Sequence, residues 1–339
     1  MNYVVTGAQG FVGRYLVARI FAADRAAVVT GLGRSPRSDT TFTHSVRWGE
    51  TRLPAPLTAD LAAAAKNERY TYASLDLLNT KGLTTQIQIA NPDIIFHMAS
   101  GLRDDRLEDL VGSNILASIS LAEAVAASKA PVRSIVFGSS GGVYGIPMDG
   151  LPIPESARCE PVDAYAASKL ASEHLTRIVA RRLTLPVVFA RIFNIVGPGQ
   201  DERHVCGRFA AQAAIIADNL APRVVVAGNL DATRDFIDVR DIARALLMLT
   251  FAGSPGEAYN IGSGRETPIR SVLSSTLRAA GISERVEVRP APPRDSDIPR
   301  HFADVGKLYA LGYRPQWSLE QSIADTVAYY REDVARAAP

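Results

Sequence analysis

Three glycines near the start of the chain constrain its fold more than any other feature. Gly7, Gly10 and Gly13 follow the short apolar run Asn2–Thr6, and apolar residues then recur at helical spacing. A strand, a glycine turn and a helix in this order are the context that a dinucleotide-binding site requires. The glycines would permit a tight turn and let the backbone approach a pyrophosphate at the helix N-terminus. The alternative is an ordinary strand-to-helix turn.

A second apolar run, residues 28–32, leads into Gly33, Arg34 and Ser35. In NAD-binding folds this strand usually ends on an acidic residue that pairs with the ribose 2′-hydroxyl. A guanidinium at this place would instead pair with a 2′-phosphate, which a carboxylate would repel. Arg34 therefore favours NADP(H) as the cofactor and leaves NAD(H) open. The alternative is that Arg34 is a solvated loop charge.

The stretch that carries the chemistry begins at Tyr165 and ends four residues later at Lys169. Asp163 is a good N-cap, and the apolar residues that follow have helical spacing. Positions i and i+4 share one face of a helix, so the phenol and the ammonium group can point at one spot. A nearby cation lowers the pKa of a phenol, which can then exchange a proton with an alcohol or alkoxide. Taken alone, this spacing also fits an ordinary surface pair.

Strand-like and helix-like segments alternate through the first half of the chain, and the strands are almost continuously apolar. This pattern predicts an α/β fold built on a parallel sheet that helices cover on both faces. Ligands bind such sheets at the carboxyl ends of the strands, where Ser140 would end one strand and Tyr165 would start the next helix. His97 ends another strand and is expected to be structural rather than an acid or base.

The composition excludes several classes of function. The net charge of +2 implies neither a nucleic acid nor an anionic membrane as a partner. Cys159 and Cys206 lack metal-ligand spacing, so we predict no metal site and a reducing compartment, the cytoplasm. No apolar run approaches the ~18 residues of a membrane span, and we expect no signal peptide. Residues 38–72 are expected to be a surface insertion rather than a site.

Together these motifs resemble the short-chain dehydrogenase/reductase superfamily in its extended, nucleotide-sugar-modifying branch, the NAD-dependent epimerase/dehydratase family. The resemblance is carried by the glycine turn, Asp76, residues 97–100, Ser140, and Tyr165 with Lys169. The order and spacing of these motifs fit the family over nearly the whole chain.

The resemblance implies a fold and a set of roles. Residues 1–190 would form a Rossmann-like, doubly wound parallel sheet that binds NAD(P). Residues 191–339 would form mainly a smaller mixed α/β domain for a nucleotide-diphosphate sugar, with some segments returning to the first domain. Ser140 would hydrogen-bond the substrate carbonyl, Tyr165 would supply the proton, and Lys169 would hold the nicotinamide ribose and lower the tyrosine pKa. The implied cofactor-binding residues are Gly7, Gly10, Phe11, Val12, Gly13, Arg34, Asp76, Leu77, Met98, Ala99, Ser100, Asn114, Tyr165 and Lys169.

Motifs in the second half of the chain narrow the range of substrates that the resemblance implies. Asn194 stands in a segment similar to the one that enters the family's substrate domain, where it would touch the sugar nucleotide. Residues 228–241 resemble the GDP-mannose dehydratase and GDP-4-keto-6-deoxy-mannose reductase group, in which Arg234 would meet the diphosphate. Arg294 resembles a later arginine with the same role. Two guanidinium groups suit a diphosphate, although either arginine could instead form a surface ion pair.

The two glycines after Ser140 help to distinguish between the dehydratase, reductase and epimerase activities found in this family. Nucleotide-sugar 4,6-dehydratases resemble this sequence but need an acid/base pair there, and Gly141 and Gly142 carry no titratable group. Arg34 and residues 228–236 favour NADPH-dependent reduction of the C4 ketone of a nucleotide-linked 4-keto-6-deoxy sugar, of the GDP-4-keto-6-deoxy-mannose type. An NAD-dependent 4-epimerase acting on a UDP- or GDP-hexose remains open. A non-catalytic NADP(H)-binding sensor or scaffold is a minor alternative.

The resemblance also implies a homodimer. The family often dimerises through two helices per subunit, which here would be the helices that follow Asn114 and Tyr165. Leu175 and Ile178 could serve the contact, whereas Glu173 is expected to face solvent.

Overall fold

A seven-stranded sheet organises the fold. The computed structural model describes residues 1–147, 150–283, 286–292 and 298–338. The strands of the sheet are β1 (Asn2–Thr6), β2 (Val28–Gly33), β5 (Tyr70–Ser74), β6 (Ile94–His97), β7 (Ser134–Ser140), β8 (Val187–Ile192) and β13 (Ala258–Ile261). They lie in the order β13-β8-β7-β6-β1-β2-β5, and every neighbouring pair is parallel. The predicted α/β fold with a parallel sheet is confirmed.

Helices cover both faces of this sheet because side chains alternate along each strand. Val5 and Phe96 belong to one core, whereas the adjacent Val4 and Ile95 belong to the other. The first core also contains side chains of α1 (Phe11–Ala23) and α8 (Val239–Ala252). The second contains side chains of α3 (Thr80–Ala90), α5 (Ala117–Ser128) and α6 (Ala164–Leu183).

The order of the strands reverses beside β1. From β1 the chain moves outward to β2 and β5, and it then returns to β6 on the other side of β1 before continuing to β7 and β8. Such a reversal leaves a crevice outside the carboxyl ends of the central strands, where ligands bind. The edge strand β13 comes from the second half of the chain, so that half completes the main sheet.

Short elements of the second half continue from the carboxyl end of β8. β9 (Asn194–Val196) pairs in parallel with β12 (Phe236–Asp238), which leads into α8. β11 (Thr233–Arg234) lies between β14 (Thr267–Pro268) and β16 (Arg300–His301). β10 (Val224–Ala227) pairs with β15 (Glu287–Pro290). The remaining helices are α7 (Val205–Ala217), α9 (Ile269–Ala279), α10 (Gly306–Ala310), α11 (Leu319–Tyr329), a π-helical turn (Tyr330–Val334) and α12 (Ala335–Ala337).

Residues 38–72 contain a hairpin that packs on both halves of the chain. Its strands are β3 (Thr41–Trp48) and β4 (Thr51–Pro56), and the short helix α2 (Ala59–Ala65) follows. The ring of Phe42 lies edge-on to that of Phe11, with 6.0 Å between centroids. Nε2 of His44 is 2.8 Å from the carbonyl oxygen of Gly199 in the second half. The excursion is therefore an integral part of the fold.

One continuous helix runs over Leu107–Ser128. It comprises α4 (Leu107–Leu110), a π-helical turn (Val111–Leu116) and α5. Within the described chain it alone is long and apolar enough to cross a membrane, with a mean hydropathy of 1.6, so the expectation that no apolar run approaches this length is wrong for this segment. A helix in the core of a folded domain can have the same composition, and this one packs against α3 and α6.

A buried ion pair ties α6 to the sheet. Glu173 is completely buried and accepts hydrogen bonds from Arg191 of β8 at 2.6 and 3.2 Å and from the Ser139 hydroxyl at 3.0 Å. Burial would raise the pKa of Glu173, but Arg191 and Arg177 lower it and keep the carboxylate charged. The expectation that Glu173 faces solvent is therefore wrong, because β8 supplies a partner that is distant in sequence.

Candidate active site

A groove at the carboxyl ends of β1, β2 and β6 has the shape that a dinucleotide requires. Its volume is about 610 Å³. Several predicted cofactor residues line it, namely Gly7, Gly10, Arg34, Asp76, Leu77, Met98, Ala99 and Ser100. Phe11, Val12 and Gly13 belong instead to the first turn of α1, immediately beyond the groove. The groove thus lies where the reversal of strand order predicts a ligand.

The backbones of β1, α1 and β6 come together at this groove more closely than side chains would allow. Gly7 has a φ of +68°, and a Cβ there would lie 2.7 Å from the Ala99 nitrogen. A Cβ at Gly13 would lie 2.1 Å from the Gly7 carbonyl oxygen. A bare backbone turn before a helix N-terminus is the cradle that a pyrophosphate needs, so the residues present fit an NAD(P) cofactor.

The loop that would select between NAD and NADP has a fixed backbone. The Tyr72 hydroxyl donates to the Ser35 carbonyl oxygen at 2.9 Å, and the Ser74 hydroxyl donates to that of Arg34 at 3.1 Å. Arg34 and Ser35 both line the groove at the end of β2. Hydrogen bonds therefore fix the backbone that carries the Arg34 guanidinium, which lies at the end of β2 as the sequence predicts.

The hairpin contributes a groove residue that the sequence did not predict. Thr43 of β3 lines the cavity, together with Gln9 of the glycine turn. Residues 38–72 had been expected to be a surface insertion without a site. The contact of Thr43 could not be read from the sequence, because it depends on the hairpin folding back over β1 and α1.

Ser140, Tyr165 and Lys169 are brought together by β7 and α6. Ser140 is the last residue of β7, and its hydroxyl accepts from the Gly142 backbone N–H at 3.1 Å. Asp163 caps α6 by accepting from the Ala166 N–H at 2.8 Å, which places Tyr165 in the first turn. Lys169, one turn further, is buried and donates to the Gly138 carbonyl oxygen at 2.8 Å. Both ends of the predicted helical pair therefore face the end of β7.

The surroundings of Tyr165 raise its pKa on balance, rather than lowering it as the sequence predicts, although they act in both directions. Burial raises the pKa of the phenol, and the carboxylate of Asp163 raises it further. Hydrogen bonding with Ser100 and Ser140 and the positive charge of Arg103 lower it. For Lys169, burial lowers the pKa to about 8, so the amine remains largely protonated at neutral pH.

Asn114 and His97 hold the loop that leads into the groove. The Asn114 side chain accepts from the Gly101 N–H at 2.8 Å and donates to the Ser168 hydroxyl at 2.8 Å. His97 lies 2.8 Å from the Thr6 hydroxyl, and burial, with the nearby Lys169 charge, lowers its pKa to about 3. A neutral, fully bonded imidazole is the structural histidine that the sequence predicts.

The predicted substrate residues lie on the second-half side of the cleft. The Asn194 amide donates to the Asp235 carbonyl oxygen at 3.2 Å. Nη1 of Arg234 donates to the carbonyl oxygens of Thr233 at 2.7 Å and of Ile298 at 2.6 Å. Arg294 lies outside the described residues.

Two further residues, His301 and Arg103, lie at this cleft although no sequence motif predicts them there. His301 of β16 is buried, and its Nε2 is 3.1 Å from the Gly141 carbonyl oxygen. Its pKa is lowered to about 4, first by burial and then by the charge of Arg234, with a smaller effect from Arg103. Arg103 stands in the loop after β6, in a run of four charged residues. Only the pairing of β16 with β11 brings His301 beside Arg234.

The two glycines after Ser140 differ in the atoms that surround the position where a Cβ would be. A Cβ at Gly141 would lie 3.0 Å from the ring of Phe193, so this ring already fills the space. A Cβ at Gly142 would lie 3.3 Å from the Ser140 hydroxyl oxygen and 4.0 Å from Nη2 of Arg103. Neither position supplies the acid or base that a dehydration would need.

Comparison with known proteins agrees with this geometry. A model of the NAD dependent epimerase/dehydratase family matches residues 3–262. The chain belongs to this family. The family includes NAD(P)-dependent reductases, epimerases and dehydratases that act on nucleotide sugars.

Two sequence relatives and one solved structure show what this chain is similar to. UDP-glucose 4-epimerase of Mycolicibacterium smegmatis is 29% identical over 337 residues, 98% of this chain and 99% of that protein. GDP-6-deoxy-D-mannose reductase of Pseudomonas aeruginosa is 31% identical over 240 residues, 68% of this chain and 78% of that protein. The structure of RMD from Pseudomonas aeruginosa complexed with NADPH has a TM-score of 0.79 at 26% identity, covering 98% of this chain and 100% of that one. The predicted Rossmann-like fold is thereby confirmed.

The family's glycine turn yields a direct prediction. We expect Gly7→Ala to weaken NAD(P) binding at least about tenfold, since the methyl group would push β6 away from the turn. Fluorescence titration with NADPH measures this. Gly49→Ala is the matched control, because Gly49 also has a positive φ, of +62°, but a Cβ there would meet nothing within 4 Å. Equal effects of the two substitutions would show that the close contact with Ala99 does not shape the groove.

Proposed function

We propose that this protein reduces the C4 ketone of a nucleotide-linked 4-keto-6-deoxy sugar, of the GDP-4-keto-6-deoxy-mannose type, with NADPH. The observation that carries the proposal is the meeting of Ser140, Tyr165 and Lys169 beside a dinucleotide groove whose β2 end holds Arg34. A relative of 31% identity is named as a reductase of a GDP-6-deoxy sugar, which supports the same substrate class.

Each catalytic side chain has a separate task in this reaction. NADPH supplies the hydride when it is bound. Ser140 donates a hydrogen bond to the C4 oxygen and stabilises the negative charge that develops there. Tyr165 gives its proton to that oxygen and is left as a phenolate. Lys169, held by the Gly138 carbonyl, contributes a positive charge near the cofactor ribose.

The proposed substrate fits the second-half side of the cleft. Arg234 presents a guanidinium, which suits the diphosphate of a nucleotide sugar, and Asn194 offers an amide to the sugar nucleotide. Gly141 and Gly142 supply no acid or base, so the water elimination of a dehydratase has no proton carrier at these positions. Besides the hydride that NADPH would supply, reduction at C4 needs only one proton, which Tyr165 would give.

A second candidate is a nucleotide-sugar 4-epimerase. It is favoured by the match to the epimerase of Mycolicibacterium smegmatis, which covers 98% of this chain and 99% of that protein. An epimerase would oxidise C4, let the ketone turn over and reduce its other face with the same cofactor molecule. Ser140, Tyr165 and Lys169 serve both reactions, so these residues do not distinguish them.

The fate of the cofactor separates the two candidates. The purified protein is denatured, any released nicotinamide dinucleotide is identified by mass, and NADPH absorbance is followed after addition of GDP-4-keto-6-deoxy-mannose. We expect little retained cofactor and one NADPH oxidised per substrate consumed. Retained NAD with no net use of NADPH would contradict the reductase and call for a screen of UDP- and GDP-hexoses for C4 inversion.

Tyr165→Phe is the control for the chemistry in this assay. It removes the proton donor and keeps the ring, so turnover should fall by about 10²–10⁴-fold while NADPH binding stays nearly unchanged. Wild-type turnover in this variant would exclude Tyr165 as the acid.

Arg34 tests the choice of cofactor. We expect Arg34→Asp to weaken NADPH binding about 10–100-fold, because a charged hydrogen bond to the 2′-phosphate is lost and a repulsive charge replaces it. NADH binding should change little. Arg37→Asp is the matched control, since Arg37 pairs with Asp39 at 3.0 Å. Equal losses for NADPH and NADH in the Arg34 variant would contradict the assignment.

We also propose that the protein is a homodimer built through Leu107–Ser128 and α6. Large apolar side chains are exposed along these helices, with Leu116 at 47%, Leu175 at 40% and Ile178 at 63%. Light scattering should give about twice the chain mass of 36.4 kDa. Ile178→Asp should then yield a monomer, whereas Phe251→Asp, which adds a charge at the exposed end of α8, should not. A wild-type species of single chain mass would contradict the dimer.

A further inference from the structure

An ion pair stands at the start of the helix that carries Tyr165. Nη2 of Arg103, in the loop after β6, lies 3.2 Å from Oδ2 of Asp163. Oδ1 of the same carboxylate accepts from the Ala166 N–H at 2.8 Å and so caps α6. The Asp163 carboxylate, two residues before the phenol of Tyr165, therefore caps the first turn of α6 and also binds the Arg103 guanidinium.

The guanidinium faces the space in which Ser140 acts. The position that a Cβ of Gly142 would take is 3.3 Å from the Ser140 hydroxyl oxygen, 3.5 Å from the Ala166 methyl group and 4.0 Å from Nη2 of Arg103. The space beside Gly142 is therefore bordered by both the guanidinium and the Ser140 hydroxyl. Arg103 thus borders the end of the cleft that contains Ser140 and Tyr165, although it is far from both residues in sequence.

The polar and charged groups around Tyr165 come from several separate elements. Ser100 and Arg103 belong to the loop after β6, and Ser140 belongs to the end of β7. Asp163 precedes Tyr165 on its own helix. The other titratable groups nearby are Lys169, which donates to the Gly138 carbonyl, the neutral His301 at the Gly141 carbonyl, Arg234 beside His301, and His204, whose pKa Arg103 also lowers.

The two members of the ion pair act on the phenol in opposite senses. A guanidinium favours the phenolate, and a carboxylate disfavours it. Among the described residues that influence Tyr165, Arg103 lowers the pKa of the phenol and Asp163 raises it. Burial has the largest influence on the pKa of Tyr165, and within that buried setting these two charges act against each other.

We infer that the Arg103–Asp163 ion pair is a positioning device that sets how readily Tyr165 releases its proton. When the phenol O–H bond breaks, the proton passes to the substrate oxygen and a phenolate remains. Arg103 stabilises this phenolate, and the negative charge of Asp163 limits that stabilisation. The inference rests on the proposed role of Tyr165 as the proton donor, but the titration that tests it does not require a substrate.

The test measures the ionisation of residue 165 directly. Tyr165 is replaced by 3-fluorotyrosine, whose phenol is more acidic than that of tyrosine and whose ¹⁹F signal reports its ionisation in the folded protein. At low ionic strength, Arg103→Gln should raise the pKa of this phenol by about one unit, since one positive charge is lost nearby. Asp163→Asn should lower the pKa by a similar amount, and asparagine preserves the helix cap.

Two further variants act as controls for the titration. Arg103→Lys keeps the charge and should retain most of the wild-type pKa. Arg106→Gln removes an arginine of the same loop that is 76% exposed and pairs with Asp109 at 3.3 Å, and it should leave the pKa unchanged. An unshifted pKa in the Arg103 and Asp163 variants, or a shift of the same sign in both, would overturn the inference.

Kinetics then separate this role from direct substrate binding. If Arg103 acts through Tyr165, Arg103→Gln should move the pH profile of kcat in the same direction as the ¹⁹F titration and leave KM nearly unchanged. A raised KM with an unmoved pH profile would instead make Arg103 a substrate contact and would overturn the inference. A protein that fails to turn over the proposed substrate would still give the ¹⁹F result, so the two failures are distinguishable.

Discussion

The close approach of β1, α1 and β6 is the constraint on which the rest of the structure depends. The turn at Gly7 has no room for a side chain, because the backbone of Ala99 lies within 2.7 Å of where a Cβ would be. The helix α1 can therefore start directly against the two central strands. Its free N–H groups point into the crevice, and a bare backbone is left to receive an anion. The cofactor groove exists because this turn excludes side chains.

The residues proposed to be catalytic depend on a second set of contacts, which fixes α6. At its start, Asp163 caps the helix, and one turn later the Asn114 amide donates to the Ser168 hydroxyl. Further along, the buried carboxylate of Glu173 binds Arg191 of β8. Breaking such a buried pair typically costs about 3–5 kcal/mol, far more than losing a surface pair. These contacts fix Tyr165 and Lys169 relative to β7.

The second half of the chain joins the site through small sheets rather than through one large core. β9 pairs with β12, and β11 pairs with β16, which sets His301 beside Arg234 at the cleft. The hairpin in residues 38–72 reaches the same region, since His44 contacts the Gly199 carbonyl while Thr43 lines the cofactor groove. Cofactor and substrate sides of the cleft are thus connected through the backbone of the loop after β9.

Local patterns in the sequence determined the parallel α/β fold, the glycine turn, the cap at Asp163 and the facing pair Tyr165 and Lys169. Each of these depends on residues a few positions apart, whose spacing dictates backbone geometry. Tertiary structure alone decided that Glu173 is buried, that Thr43 reaches the groove, and that Arg103 and His301 border the catalytic cleft. These contacts join segments far apart in the chain, and the same charged residues would be solvated if β8, the hairpin and β16 packed elsewhere. Local spacing carries no information about which distant partner removes a charge from water.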